Sequence, residues 1–212
     1  MIEFVTLDNA NKFTGNPLVD QHKLRFKSII QRQNWDVPNY REMEFDQYDN
    51  PAAKYLIFRD ENFVARGVSR LYPTTLPYML EEVFPHFVTY RDIPKSHNIL
   101  EGSRFCIDQT LQPDIRKRIA REIVIGYLEA ALYFNIEAIV GMMYPAYLRS
   151  LFISNGWDIE YLGDIKILAD GNKARAALLP VSEDVLAKVR QTTGIYENIV
   201  NLGNVNVDSI AA

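Results

Sequence analysis

The sequence has 212 residues, 48% hydrophobic and 24% charged, which is enough apolar material for one ordinary hydrophobic core. The formal net charge of -4 argues against general nucleic-acid binding, and the single cysteine, Cys106, excludes an internal disulfide. No apolar stretch is long enough to span a bilayer, and the first residues lack the basic and apolar regions of a secretory signal. These features predict a soluble, cytoplasmic protein with no membrane or nucleic-acid partner.

The first half of the chain predicts short strands around one helix and one long loop. Residues 18–33 form the helix, because Leu18, His22 and Phe26 recur at four-residue spacing. Residues 34–50 show little periodicity but contain several aromatic residues, which favours an ordered loop over a disordered linker. The predicted strands of this half are 2–7, 54–59 and 63–71, with a turn at 60–62 between the last two.

The second half predicts helices alternating with further strands. A helix over 113–134 begins at Pro113 and carries apolar residues every four positions from Ile115 to Tyr127. Gly156 is placed to end one helix in the left-handed conformation, and Ser182 is placed to cap the start of another. The other predicted elements are helices over 76–84, 146–155 and 182–192, and strands over 99–107, 137–143, 159–162 and 174–179.

This order of elements predicts an α/β layer with a mixed sheet. No internal repeat, low-complexity segment or domain boundary is visible in the sequence. We therefore expect a single domain over residues 1–200, followed by a polar tail over 201–212.

Several common kinds of active site do not fit the sequence. Three histidines, His22, His86 and His97, are scattered, and no Cys/His spacing is typical of metal ligands, so no metal is expected. The sequence has no Walker-type loop, no Rossmann fingerprint and no nucleophile elbow around a serine. These absences argue against zinc enzymes and covalent-nucleophile enzymes.

Charged residues inside apolar surroundings are the positive signal. Acids and arginines of this kind are Arg25, Asp46, Asp49, Arg70, Glu101 and Arg104. Glu101 and Arg104 lie three apart on one strand and face opposite sides unless a bulge intervenes, for which Gly102 is a plausible position. Buried charges need partners, so the acids and arginines can form one network; the alternative is solvated surface charge.

The same residues lie in motifs that resemble the acyl-homoserine-lactone synthases, the autoinducer synthases of quorum sensing. The resemblance covers roughly the first three quarters of the chain, and the combined spacing is specific although each motif alone is weak. Its motifs are Leu24-Arg25, Asn34-Trp35, Glu44-Phe45-Asp46-Gln47-Tyr48-Asp49, Ala65-Arg66-Gly67-Val68-Ser69-Arg70-Leu71, Phe84, Glu101-Gly102-Ser103-Arg104-Phe105 and Ser154-Asn155-Gly156-Trp157. Two departures are Ser28-Ile29, where an aromatic residue is common, and Met142-Met143-Tyr144, where a small hydroxyl residue is common.

The resemblance implies a fold like that of the Gcn5-related N-acetyltransferases, a three-layer α/β sandwich with a mixed, splayed β-sheet. It implies an acyltransferase that joins an acyl thioester to the amine of S-adenosylmethionine, closes a lactone and releases methylthioadenosine. S-adenosylmethionine is then a substrate, with no permanently bound cofactor. The acyl donor is an acyl-carrier protein or an acyl-coenzyme A, and the carrier protein is the commoner donor in the family.

The resemblance also assigns roles to residues. Glu101 is expected to act as the base for the substrate amine, with Arg104 and Asp46 as further catalytic residues. The residues expected to bind S-adenosylmethionine are Arg25, Trp35, Asp46, Asp49, Arg70 and Arg104. The residues expected to line an acyl pocket are Met79, Phe84, Met142, Met143, Tyr144, Leu148 and Phe152. Because methionines replace a hydroxyl at 142–143, we expect acyl groups without a 3-oxo substituent to be preferred.

A basic stretch of the helix over 113–134 has two interpretations. Its residues are Arg116, Lys117, Arg118 and Arg121. They can meet a phosphopantetheine phosphate or the acidic surface of an acyl-carrier protein, or they can be an ordinary solvated helix face. The stretch before this helix, 106–113, lacks the glycines with which ordinary Gcn5-related enzymes bind the coenzyme pyrophosphate.

Two other functions stay open from the sequence. The first is an N-acyltransferase of the same fold that acts on a different amine. The second is a non-catalytic ligand-sensing or protein-binding domain, for which neutralising Glu101 would leave the biological output unchanged.

Overall fold

Residues 1–203 are described in this computed structural model, with five helices and eleven strands among them. The strands are β1 Ile2–Thr6, β2 Asn39–Tyr40, β3 Met43–Glu44, β4 Lys54–Arg59, β5 Ala65–Pro73, β6 Ile99–Ile107, β7 Ala138–Met143, β8 Glu160–Tyr161, β9 Lys166–Ile167, β10 Lys173–Pro180 and β11 Val200–Asn201. The helices are α1 Pro17–Arg25, α2 Met79–Glu82, α3 Pro113–Tyr133, α4 Pro145–Tyr147 and α5 Glu183–Thr193. Wide π-type turns extend α1 over Phe26–Arg32 and α4 over Leu148–Phe152, and short 3-10 turns lie at Ala10–Lys12, Pro85–Phe87 and Ile153–Asn155.

The chain divides into two units. The terminal unit comprises Met1–Leu71, Arg104–Tyr127 and the described residues from Asn198 onward. The central unit comprises Tyr72–Ser103 and Leu128–Glu197. The boundaries fall inside β6 and inside α3, so the single domain expected over 1–200 stays a prediction.

The terminal unit contains a mixed run of strands in the order β11, β1, β4 and β5. β1 pairs in parallel with β11 and antiparallel with β4, and β4 pairs antiparallel with β5. The helix α3 packs closely on β5 at Gly67, where an added Cβ would lie 2.6 Å from Ile119. Only a residue without a side chain permits this approach, which buries Ile119 and Ile123.

The central unit contains the strand order β6, β7, β10 and β8. β6 and β7 pair in parallel, and the register runs from Ile99↔Ala138 to Glu101↔Val140. β10 pairs antiparallel with β7, β8 and β9. The predicted caps are confirmed, because Gly156 is left-handed at φ 90° and the Ser182 side chain accepts a hydrogen bond from the Val185 N–H.

Most predicted elements are confirmed, and the differences have local causes. The predicted helix over 18–33 is α-helical only to Arg25 and continues in wide turns. β5 begins at Ala65 because Phe63 is held at φ 59° in the preceding turn. The helix α2 is shorter than predicted and lies between Pro77 and Pro85.

The predicted polar tail is only partly described. Asn201 belongs to β11 and pairs with Glu3, so the strand reaches into the range predicted as tail. Residues 204–212 lie outside the described part of the chain. Among residues 1–203, no helix has the length and apolar character needed to cross a membrane.

Candidate functional site

A closed ring of six alternating charges lies in the terminal unit. Each arginine pairs with two carboxylates and each carboxylate with two arginines, at nitrogen–oxygen distances of 2.5 to 3.1 Å. The members, in order around the ring, are Arg25, Glu44, Arg104, Asp46, Arg70 and Asp49. The ring therefore contains five of the six charged residues that the sequence singled out. They form a buried network and are not solvated surface charges.

Glu44 is the ring member that sequence reasoning missed. It is the last residue of β3, its side chain is fully buried, and it bridges Arg25 and Arg104. Its signal was present in the motif, because Glu44 and Asp46 are two residues apart and flank Phe45. Residues at this spacing on extended chain point the same way.

The loop after β3 is held by Asp49. The Asp49 carboxylate accepts hydrogen bonds from the Asp46 N–H at 2.8 Å and from the Tyr55 hydroxyl at 2.7 Å. Burial alone would raise the pKa of Asp49, but hydrogen bonds and charge from Arg25, with the charge of Arg70, hold that pKa well below its usual range. Asp49 is therefore ionised across the physiological range.

Arg25 and Arg70 are turned toward protein carboxylates. Arg25 makes a bidentate pair with Asp49, with both distances 2.7 Å, and its Nε donates to Glu44 at 2.5 Å. Arg70 pairs with Asp46 and Asp49 and lies 5.6 Å from the centroid of the Tyr48 ring. Burial opposes the charge on both arginines, yet these partners raise the pKa of each.

The link between Arg104 and Asp46 is the most exposed part of the ring. The exposed fractions of these side chains are 9% and 12%, whereas the other four members reach 4% at most. The backbone of Arg104 is left-handed at φ 54°, so the irregularity expected at Gly102 lies at Arg104 instead. This link is where a polar ligand can reach the charges without unfolding the loop.

His22 supports the same loop from α1. Its Nδ1 lies 2.8 Å from the Glu44 carbonyl oxygen, and its ring packs edge-on against Phe45 and Tyr55. Burial, followed by the charge of Arg25, lowers the pKa of His22. A neutral His22 that donates from Nδ1 matches the carbonyl acceptor.

Trp35 lies in the loop that follows the wide turns after α1. Its side chain is half-buried, and its backbone N–H donates to the Ile29 carbonyl at 3.1 Å. That hydrogen bond fixes the backbone where the helix ends. A contact between Trp35 and S-adenosylmethionine stays a prediction.

Glu101 lies in the central unit and is almost fully buried, with 1% of its surface exposed. Its Oε1 accepts the Leu80 N–H at 2.7 Å, and its Oε2 accepts the Met79 N–H at 3.3 Å. The sequence predicted Glu101 as a member of the charge network, but the ring contains Glu44 instead, and Arg104 pairs with Glu44 and Asp46. The amides of α2 are thus partners that sequence spacing did not reveal.

The residues expected to line an acyl pocket all belong to the central unit. Leu148 and Phe152 are buried, and Phe152 packs edge-on against Trp157 at 5.7 Å between ring centroids. The half-buried members are Met79, Phe84, Met142, Met143 and Tyr144. Because Met142 and Met143 are neighbours on β7, their side chains leave opposite faces, and a slot on one face takes only one of them.

The basic stretch of α3 is partly engaged by nearby polar residues. Arg118 pairs with Glu122 at 2.8 Å while most of its side chain stays exposed. Arg116 donates to the Gln109 side chain. In the preceding loop the Asp108 carboxylate accepts the Thr110 N–H at 2.9 Å and pairs with Arg66 at 2.6 Å. In the glycine-free stretch 106–113, the backbone N–H of Thr110 therefore already donates to the Asp108 side chain.

Comparison with known proteins identifies relatives along most of the chain. The family described as autoinducer synthase matches residues 9–189, a range that contains every candidate site residue named above. An acyl-homoserine-lactone synthase of Vibrio anguillarum is 32% identical over 170 residues, covering 79% of this chain and 88% of that protein. These matches agree with the resemblance seen in the motifs.

Solved structures confirm the predicted fold class. BjaI, a CoA-dependent acyl-homoserine lactone synthase solved with MTA and also with SAM and isopentyl-CoA, superposes with a TM-score of 0.89 at 24% identity, covering 100% of this chain and 97% of that one. A putative N-acetyltransferase from Lactobacillus plantarum superposes with a TM-score of 0.56 at 12% identity, covering 86% of this chain and 98% of that one. The fold is therefore α/β and related to that of N-acetyltransferases.

Proposed function

This chain belongs to the autoinducer synthase family, and we propose that it makes an N-acyl-L-homoserine lactone from S-adenosylmethionine and an acyl thioester. The observation that carries the proposal is the family match over residues 9–189, because the ring of charges is built from residues inside it. The product is a quorum-sensing signal, and both substrates are metabolites of the cytoplasm, where we place the enzyme.

The first step is acyl transfer to the substrate amine. The ammonium loses one proton to a base, and the resulting amine attacks the thioester carbonyl carbon. The new C–N bond forms, the C–S bond breaks, and a second proton from the nitrogen goes to the departing sulfur, which leaves as the donor thiol. We propose Glu101 as the base, directly or through one water. Its carboxylate is buried, so it takes up a proton at a site shielded from solvent.

The second step is lactone closure. The carboxylate oxygen of the acylated S-adenosylmethionine attacks the carbon bonded to the sulfonium. The C–S bond breaks and methylthioadenosine leaves as a neutral thioether, so no external base or oxidant is needed. The positive sulfur already activates this bond, and the enzyme's contribution is to hold the carboxylate in line.

The ring of charges is proposed to receive the amino-acid end of S-adenosylmethionine. Asp46 and Arg104 offer a carboxylate for the ammonium and a guanidinium for the carboxylate at the most exposed link. Arg25, Arg70 and Asp49 hold the acidic loop in place, and Trp35 supplies an aromatic face for the ligand. The donor is proposed to be acyl-carrier protein or acyl-coenzyme A, with the basic stretch of α3 as the surface that meets its phosphate or acidic groups.

The experiment is to incubate the purified chain with S-adenosylmethionine and a panel of acyl thioesters of both donor types. We expect methylthioadenosine and an acyl-homoserine lactone in equal amounts, measured by mass spectrometry. Glu101→Gln should lower kcat about a hundredfold or more, the usual contribution of a general base. Glu160→Gln, on the exposed strand β8, is the matched control and should keep wild-type rates.

Other outcomes separate the alternatives. An acylated amine without methylthioadenosine would support an N-acyltransferase that acts on a different amine. Full activity of Glu101→Gln would remove that residue from the chemistry while leaving the lactone synthase assignment intact. No turnover with any donor would contradict the enzyme assignment.

A further inference from the structure

Glu101 connects two elements of the central unit that carry candidate acyl-pocket residues. Its backbone lies in β6 at the last paired position with β7, opposite Val140. Its side chain reaches the first two residues of α2 and accepts both of their backbone N–H groups, from Met79 and Leu80. One buried carboxylate therefore joins the β6–β7 pair to α2.

The approach of β7 to β6 is tight at this level. An added Cβ at Gly141 would lie 2.6 Å from the carbonyl oxygen of Gly102, the residue after Glu101. The backbone of Glu101 is thus set against Val140 of β7, two residues before Met142. A shift of the Glu101 backbone along β6 would therefore disrupt the close contact between Gly102 and Gly141.

The position of α2 depends on contacts with other parts of the chain, because it has only four residues. The Tyr78 hydroxyl donates to the Pro94 carbonyl at 2.5 Å, and Lys95 pairs with Glu81 at 2.9 Å. These two contacts tie the segment to residues 94 and 95. Glu101 holds its first turn, through the amides of Met79 and Leu80.

We infer that Glu101 is a positioning residue that sets the distance between α2 and β7, and so determines which acyl chains fit between Met79 and the methionines of β7. The inference rests on the proposed function, since it concerns the acyl donor of that reaction. It adds to the role of Glu101 as a base, because each carboxylate oxygen has a second lone pair that can take a proton while the amide hydrogen bonds stay in place.

The test compares Met79→Pro with Met79→Ala. Both variants remove the methionine side chain, but only proline removes the N–H that donates to Glu101. Proline is tolerated here, because residue 79 is the first of α2 and Tyr78 is extended at φ -130° and ψ 163°. The carboxylate of Glu101 is untouched in both variants.

We measure kcat/KM for straight-chain acyl thioesters of increasing length, together with the KM for S-adenosylmethionine. Met79→Pro should change the ratio between long and short donors about tenfold relative to Met79→Ala, the effect of one hydrogen bond to a charged acceptor. The KM for S-adenosylmethionine should agree between the two variants. Identical donor profiles, or an equal loss for all donors, would overturn the inference.

A second measurement does not need turnover. Amide hydrogen exchange of a peptide containing residues 79 and 80 should be faster in Glu101→Gln than in wild type, because the two N–H groups meet different oxygens and glutamine has an NH2 group, which cannot accept, in place of one of them. Unchanged exchange would overturn the inference even if the enzyme makes lactone. Faster exchange in a protein that makes no lactone would support the positioning role and contradict the proposed function.

Discussion

Glu44 and Asp46 are two residues apart, and each bridges two arginines of the ring, yet their surroundings differ. The Glu44 side chain is fully buried, whereas 12% of the Asp46 side chain is exposed. A fully buried carboxylate between two guanidinium groups mainly holds them in place, while a partly exposed one can also exchange a protein partner for a ligand. Equal charge at two nearby positions thus supports different roles.

Neutralising each carboxylate separates these roles. Glu44→Gln should lower the free energy of unfolding by about 3 kcal/mol, because two buried arginines lose a counter-charge. Its KM for S-adenosylmethionine should stay near the wild-type value when assayed well below the melting temperature. Asp46→Asn should raise that KM about tenfold or more with a smaller loss of stability.

Chemical denaturation and initial-rate kinetics on both variants check this prediction. The two substitutions are matched, since each replaces one ring carboxylate by its amide. The assignment of the Arg104–Asp46 link to the ligand would be wrong if the two variants showed the same KM for S-adenosylmethionine.

At the scale of elements, the packing of α3 on β5 depends on Gly67. The Cβ of any other residue would meet side-chain methyl groups of Ile119 at 2.6 Å and of Ile123 at 2.9 Å, so these side chains or the helix that carries them would have to shift. β5 also carries Arg70, three residues further along, which binds Asp46 and Asp49. Helix packing on one side of β5 and the ring of charges are therefore connected through the same strand.

Gly67→Ala should lower the free energy of unfolding by about 1 to 3 kcal/mol, the usual effect of overpacking a core. Gly126→Ala is the control, because its added Cβ would meet Ile2 only at 3.3 Å and alanine favours the helix. Thermal melts of both variants measure the difference. Equal melting temperatures for the two would show that α3 does not rest closely on β5.

For the whole molecule, we predict that donor choice follows from the side chains of the proposed acyl pocket, which include Met142 and Met143. The methionines of β7 offer thioethers, which are weak acceptors and cannot donate a hydrogen bond to a 3-oxo carbonyl. We therefore expect higher kcat/KM for unsubstituted, branched, aromatic or 3-hydroxy acyl donors than for 3-oxo donors of matched length.

Threonine variants sharpen this prediction. Since Met142 and Met143 face opposite sides of β7, only one of Met142→Thr and Met143→Thr should raise activity toward 3-oxo donors relative to wild type. Competition assays with paired donors measure the ratio. A clear wild-type preference for 3-oxo chains would contradict the prediction, and an equal gain in both variants would contradict the one-sided slot.

Local patterns in the sequence were enough to predict most strands and helices and the family. The spacing of hydrophobic residues predicted β4 at Lys54–Arg59 and β6 at Ile99–Ile107, and the glycine at 156 predicted a left-handed helix cap. These signals can be recognised because each lies within a few neighbouring residues. The two-residue strands β9 and β11 were not predicted, because so short a segment shows no alternation of apolar and polar residues.

Which charges are partners depends on the tertiary structure. Arg104 is 60 residues from Glu44 in the chain, and Glu101 meets amides 21 and 22 residues away, so no local pattern records these pairs. Arg104 adopts a left-handed backbone and pairs with Glu44 and Asp46, whereas the sequence left the partners within the charge network open. Burial makes each of these charges require a partner, and the fold alone determines which partner lies within reach.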